Sequence, residues 1–295
     1  MRNELILDEL LRRLLAENGG AADGEMPREP AERRKLLRTL FNTRPPIPAA
    51  PELLSLQDEF LSAEREARGV IDANDLPSIP EDIDSSGGAC PDSFRLWQGD
   101  ITTLRVDAIV NAANSKLLGC FVPHHRCIDN AIHSVAGVQL RLECNELMQN
   151  QGFDEPTGQA KLTRGYNLPS RHVMHTVGPI IHDRVSETEK ALLASCYTAC
   201  LNRAVEQRDI NSIAFCCIST GEFRFPKHLA AHIAVTTVYE WLKKSSRKFD
   251  RIIFNVFSKE DYEIYAAVFR KGVAALSCLI SSATHGDNNK GESKS

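Results

Sequence analysis

Two thiols and two imidazoles fall within eight residues of this chain, in the run Gly119-Cys120-Phe121-Val122-Pro123-His124-His125-Arg126-Cys127-Ile128-Asp129-Asn130. Thiolate and imidazole are the ligands that Zn²⁺ prefers. The spacing matches neither a zinc finger nor a zinc ribbon. If one histidine points away, three ligands remain, and three protein ligands with an open position is the arrangement of a catalytic zinc rather than a structural one. Cys127 and Asp129 fall where a helix should begin, and a helix N-terminus lowers a thiol's pKa toward the metal-binding thiolate. The same residues also suit buried cysteines beside a surface His-His pair.

Three further runs place polar groups at the ends of apolar segments. In Gln98-Gly99-Asp100-Ile101-Thr102 an acid follows a strand, where it can accept hydrogen bonds from a ligand amine or close a turn on its own backbone. In Val110-Asn111-Ala112-Ala113-Asn114-Ser115 the alanines allow close backbone approach, and each asparagine offers a donor and an acceptor that suit a ribose diol. Asparagine also tolerates the left-handed geometry of a plain turn. In Ile218-Ser219-Thr220-Gly221-Glu222-Phe223-Arg224-Phe225-Pro226 a strand-to-helix turn presents backbone N–H groups and hydroxyls that can meet a pyrophosphate or simply cap the helix.

The elements that must position these runs alternate. Strands are expected at Phe94–Trp97, Val106–Val110, Ala160–Thr163, Arg171–Thr176, Ile213–Ile218 and Arg251–Val256, and helices at Ile128–Met148, Glu187–Gln207, Phe225–Lys244 and Asp261–Ile280. Such alternation argues for a layered α/β fold. The nearly unbroken apolar runs at the second and fifth strands suit a sheet covered on both faces. Before it lies a helical N-terminal extension with linker, residues 1–85. Its first helix carries Leu5, Leu7, Leu10, Leu11, Leu14 and Leu15. The second opens near Pro30 with Leu36, Leu37, Leu40 and Phe41, and after an elbow at Thr43–Pro51 the third carries Leu53, Leu54, Leu56, Phe60 and Leu61. Asp82–Pro91 reads as a flexible joint, 86–280 as the main domain and 281–295 as a disordered tail.

With 42 % hydrophobic and 25 % charged residues and a net charge of −4, the chain lacks the basic face that a nucleic-acid binder needs. No apolar run approaches the ~20 residues of a membrane span. Glu4, Asp8 and Glu9 interrupt the first apolar stretch, so no secretory signal is read, and the nine cysteines are expected reduced in a cytoplasmic protein.

Taken in order, these runs resemble the macrodomain family over about Phe94 to Ile280. Asp100-Ile101 is similar to its adenine-recognition pair. Asn111, Ala112 and Asn114 are similar to its distal-ribose loop, and Ser219-Thr220-Gly221 with Phe223 to its diphosphate loop. His175-Thr176-Val177-Gly178-Pro179 is similar to a recurrent strand end. Glu222, inside the diphosphate loop, and Phe257, after the last strand, complete the expected ADP-ribose contacts. The loop from Gly119 resembles the zinc-dependent macrodomains of bacteria and fungi that are often encoded beside a class M sirtuin. In that pattern a cysteine, a histidine five residues on and a cysteine two further hold one zinc per chain, here Cys120, His125 and Cys127, with His124 in reserve.

The resemblance implies a three-layer α/β/α fold with a mixed sheet of about six strands. It also implies a protein mono-ADP-ribosylhydrolase whose leading substrate is an aspartate or glutamate ester of ADP-ribose. Catalysis is expected at Asn111 and Asn114, which would orient the ribose, and at Asp129, which alternatively stabilises a helix N-terminus. His133, one turn on, is expected to be structural. A mono-ADP-ribosylated protein would be the substrate, and a sirtuin-type ADP-ribosyltransferase and a lipoyl carrier protein the expected partners. The competing readings are an ADP-ribose reader without turnover and a structural zinc domain. Glu222 and Arg224 depart from the family pattern, and Glu222 should weaken pyrophosphate binding unless it turns away.

Overall fold

The computed structural model describes residues 2–17, 26–80 and 90–271. The joint expected at 82–91 falls largely outside the described residues, as do the tail 281–295 and the end of the last helix.

Three helices come first: α1 (Arg2–Glu17), α2 (Pro30–Thr43) and α3 (Pro51–Arg68). Proline opens both α2 and α3, where its missing N–H costs nothing. Their apolar stripes close on one another in a cluster of Leu7, Leu10, Leu11, Leu14, Leu37, Leu40, Phe41, Leu53, Phe60 and Leu61. Leu5, expected in that stripe, is 69 % exposed. It lies off the face that Leu7, Leu10, Leu11 and Leu14 make at helical spacing. Val138 of the main domain also joins the cluster, so the extension packs on the domain rather than standing apart.

The main sheet has six strands: β2 (Phe94–Gln98), β4 (Ala108–Ala112), β5 (Ala160–Arg164), β6 (His172–Thr176), β7 (Ser212–Phe215) and β8 (Arg251–Val256). Their order is β2-β8-β7-β4-β6-β5, and only β5 runs antiparallel to its neighbour. The mixed six-stranded sheet of the sequence reading is therefore present. A separate parallel pair joins β1 (Ile71–Asp72) to β3 (Leu104–Arg105), and Ala73 and Leu76 enter the main core, so that core begins well before residue 85. Helices α4 (Ile128–Ala136), α5 (Val138–Gln151), α6 (Glu187–Glu206), α7 (Lys227–Lys244) and α8 (Lys259–Arg270) cover the sheet. The first four residues of β4 are all buried, as a central strand covered on both faces requires. No described helix is long and apolar enough to cross a membrane, and no disulfide joins the eight described cysteines.

One expectation fails instructively. The helix read as continuous from Ile128 to Met148 breaks at Gly137, whose φ is +95°. A Cβ there would lie 2.5 Å from the Gln57 side chain of α3, and Gln57 Oε1 accepts the Val138 N–H at 2.9 Å, capping α5. The N-terminal extension thus sets the break. The strand expected to reach Ile218 leaves its ladder after Phe215, while Cys216 and Ile218 stay buried beneath the turn that follows.

Candidate active site

Asn111 stands at the carboxyl end of β4, fully buried, paired in register with His175 on β6. Its Nδ2 donates to Asp129 Oδ1 at 2.8 Å and lies 3.1 Å from His175 Nδ1. With Nδ1 accepting, Nε2 carries the proton of a neutral imidazole toward Thr163 Oγ1 at 2.9 Å. Burial pushes the His175 pKa down to about 3. Asn114 Nδ2 donates to Asp129 Oδ2 at 3.3 Å and to Gly119 O at 3.1 Å. Two asparagines thus hold the two oxygens of one carboxylate.

Asp129, in the first turn of α4, is buried. Burial drives its pKa up to about 6, against the lowering effect of the Asn111 hydrogen bond and of Arg141. A carboxyl titrating there can take and return a proton near neutral pH. His133 Nε2 lies 3.5 Å from Asp129 Oδ1. Burial holds His133 well below the usual imidazole range, so this is a contact with a neutral ring rather than an ion pair. Asn111 Oδ1 is buried and meets no partner among the described residues. An orphaned buried acceptor at a strand end suits a ligand hydroxyl, since leaving it unmade costs about 1–3 kcal/mol.

The loop from Gly119 to Cys127 lies beside this triad. Gly119 has φ +77°, and a Cβ would meet the His133 ring at 2.8 Å, so glycine lets the loop pass over the imidazole. Cys120 Sγ and His125 Nδ1 are 3.5 Å apart, and the ligand atoms of Cys120, His125 and Cys127 all lie within 4.8 Å of one another, each residue half-buried. Two sulfurs and a nitrogen at such mutual distances fit the donor set of a three-ligand zinc site. His124 is directed elsewhere. Its Nε2 lies 2.9 Å from Thr39 Oγ1, and its N–H donates to Asn42 Oδ1 at 3.2 Å. Cys127 caps α4, accepting the Asn130 N–H at 3.4 Å, yet its pKa rises to about 12 because burial and the neighbouring Cys120 outweigh that hydrogen bond. The expected lowering by the helix terminus is overridden. A second convergent group, His133, Cys144 and His175, is wholly buried, and both nitrogens of His175 are already engaged.

Across from this loop, the turn after β7 carries Ser219 with φ +66° and a buried Oγ that meets no partner among the described residues. Phe225 N–H closes the turn on Ser219 O at 2.9 Å, and Ile181 N–H holds Phe223 O at 2.8 Å. Thr220 Oγ1 donates to Cys217 O at 3.1 Å. Glu222 is 68 % exposed at its side chain, and its carboxylate lies 3.3 Å from His125 Nε2. Its charge therefore faces the loop of Cys120, His125 and Cys127. Arg224 takes a left-handed φ of +59° in the same turn.

The surroundings of Asp100 are simpler. Asp100 Oδ1 accepts from Thr102 N–H at 2.9 Å and Thr102 Oγ1 at 2.8 Å, capping the short helical turn 101–103. Its Oδ2 lies 3.8 Å from Arg68. Ile101 is packed in the core, Ala112 is half-buried at the end of β4, and Phe257 is 78 % exposed. The sequence reading missed the link between His125 and Glu222 and the place of His175 behind Asn111. Only the strand-end motif at His175 hinted at the second.

The Macro domain family pattern matches residues 110–234, from the end of β4 into α7. A relative from Treponema medium named protein-ADP-ribose hydrolase is 47 % identical over 256 residues, covering 87 % of this chain and 95 % of that one. The chain belongs to the macrodomain family. A second macrodomain relative, from Staphylococcus aureus (strain MRSA252) and also named protein-ADP-ribose hydrolase, is 48 % identical over 238 residues, 80 % of this chain and 85 % of that one. Among solved macrodomains, that of Trypanosoma brucei in complex with ADP-ribose superposes with a TM-score of 0.58 at 29 % identity, over 81 % of this chain and 95 % of that one.

Proposed function

We propose that this macrodomain protein binds ADP-ribose and is a zinc-dependent mono-ADP-ribosylhydrolase acting on an aspartate or glutamate ester. The names of its relatives support the hydrolase reading. One observation carries the zinc dependence: Cys120, His125 and Cys127 converge within 4.8 Å on a loop that Asn114 ties, through Gly119 O, to the Asp129 carboxylate.

In this reading Asp100 and the backbone of Ile101 receive the adenine, with Phe257 beside it. The turn Ser219-Thr220-Gly221-Glu222-Phe223 receives the diphosphate. Asn111, Ala112 and Asn114 receive the distal ribose, and the unmet Asn111 Oδ1 accepts a ribose hydroxyl. Cys120, His125 and Cys127 hold the zinc, whose chemistry when bound is Lewis acidity toward a ligand oxygen. Water adds across the bond between C1″ and the ester oxygen. Asp129, kept basic enough by burial, takes the water's proton as the carboxylate leaves. The products are ADP-ribose and a free side-chain carboxylate. A sirtuin-type ADP-ribosyltransferase and a lipoyl carrier protein are the partners this reading proposes.

The test is release of ADP-ribose from proteins modified through defined linkages, with zinc present and after chelation. Release from the carboxylate ester alone, abolished by the chelator and restored by zinc, is expected. Tight ADP-ribose binding without release from any linkage would make the protein a reader.

A further inference from the structure

Helix α2 belongs to the extension, yet its Arg38, Thr39 and Asn42 share one face and reach the loop that carries the three candidate ligands. Asn42 is fully buried. Its Oδ1 accepts the His124 N–H at 3.2 Å, and its Nδ2 donates to Ser134 Oγ on α4 at 2.9 Å. Thr39 Oγ1 meets the ring of the same histidine at 2.9 Å. Arg38 donates to Asn130 Oδ1 through Nε at 3.2 Å and a terminal nitrogen at 2.8 Å. Asn130 in turn donates its Nδ2 to Val122 O at 2.9 Å and its backbone N–H to Cys127 Sγ at 3.4 Å.

The start of the loop is tied to the same helix. Arg141 donates to Leu118 O at 2.7 Å and, on its other side, to the carbonyls of Phe41, Asn42 and Arg44 at 3.0, 3.0 and 2.5 Å. Its guanidinium lies 4.2 Å from the centre of the Phe121 ring.

These contacts surround one conformational problem. His124 has φ +57°, a conformation that costs a non-glycine residue about 1 kcal/mol or more. That backbone turn separates His124, which faces α2, from His125, which faces Cys120. Asn42 binds the N–H of the strained residue and Thr39 binds its ring, so α2 selects which of the two adjacent imidazoles is available. Arg38, through Asn130, fixes the residue that donates to the Cys127 sulfur. A loop ordered in advance does not lose that conformational freedom when a metal arrives.

We infer that α2 is a structural part of the metal site, with Asn42, Thr39 and Arg38 as positioning residues for Cys120, His125 and Cys127. The inference rests on the reading that these three residues bind zinc. Outer partners of metal ligands typically contribute about 10–100-fold in affinity.

The test is zinc affinity of the full chain by competition with a chromogenic chelator. Asn42→Ala should weaken zinc by about 10-fold or more. Arg38→Met, at a half-buried position, should weaken it by a smaller factor, and Arg38→Lys should recover part of the loss by again donating to Asn130. The control is Asp8→Ala, which removes the 2.6 Å ion pair with Arg33 inside the extension and should leave zinc affinity unchanged. ADP-ribose affinity measured without zinc should be unchanged in Arg38→Met. Zinc affinity within twofold of wild type in both Arg38→Met and Asn42→Ala would overturn the inference, as would an equal loss in Asp8→Ala. If the wild-type chain binds no zinc, the reading of the loop as a metal site falls, and the inference with it.

Discussion

His125 Nε2 lies 3.3 Å from the Glu222 carboxylate, joining the loop before α4 to the turn after β7, while His125 Nδ1 faces Cys120. The imidazole thus presents one nitrogen to the cysteine pair and the other to an acid. A carboxylate behind a ligating histidine orients the ring and raises its basicity. The same negative charge sits in the turn assigned to a pyrophosphate.

Glu222→Ala should therefore have two effects of opposite sign. Zinc affinity should fall several-fold, up to about tenfold, because the ring loses its orienting partner. ADP-ribose affinity of the zinc-free protein should rise, because a like charge is removed. Chelator competition and calorimetry check the two signs independently.

Asp129 links stability to activity. Its carboxyl titrates near 6 in the folded protein and near 3.8 when unfolded, so the folded state holds the proton more tightly. That contribution to stability is present below pH 4 and lost as pH rises through about 6. Asp129→Asn should remove the dependence. Relative to wild type the variant should gain up to about 3 kcal/mol above pH 6, from a shift of about two units at 1.36 kcal/mol each, less what its altered hydrogen bonds cost. Turnover should be lost. Denaturant melts between pH 4 and 8 measure the stability difference.

His175 has the opposite sign. Its folded pKa of about 3 lies below the unfolded value of 6.5, so the unfolded chain gains the proton first on acidification. Stability should fall below pH 6.5 by up to about 1.4 kcal/mol per pH unit from this residue alone. His175→Gln should lose stability at neutral pH and show a shallower acid decline than wild type in the same melts.

Gly119→Ala places a Cβ 2.8 Å from the buried His133 ring at a backbone φ of +77°. A loss of roughly 1–3 kcal/mol follows from the backbone conformation alone. Because Asn114 holds Gly119 O, the loop should also shift away from Asp129. Thermal melting and zinc stoichiometry should both decline.

What could be read from the chain was local. The two cysteines and two histidines of the loop were legible because they lie in one short run, with the choice of His125 over His124 coming from the family resemblance. Strand β4 was legible, as part of a strand expected at Val106–Val110, because Ala108-Ile109-Val110 is an unbroken apolar run. The break at Gly137 was not legible, because its cause is Gln57, 81 residues from the Val138 N–H that it caps. Asn42 was invisible as a support for His124 for the same reason, across 82 residues. The Cys127 pKa went the other way from expectation because burial and Cys120 act on the thiol more strongly than the helix end does. His175 could be placed on a strand, but its register opposite Asn111 depends on how β4 and β6 pair.

The most direct measurement is zinc content and ester turnover in wild type, Cys120→Ala and Cys127→Ala, each confirmed folded by ADP-ribose binding. One zinc per wild-type chain, with zinc and turnover lost together in both variants, is the predicted result. Full turnover in a folded variant that carries no zinc would contradict it.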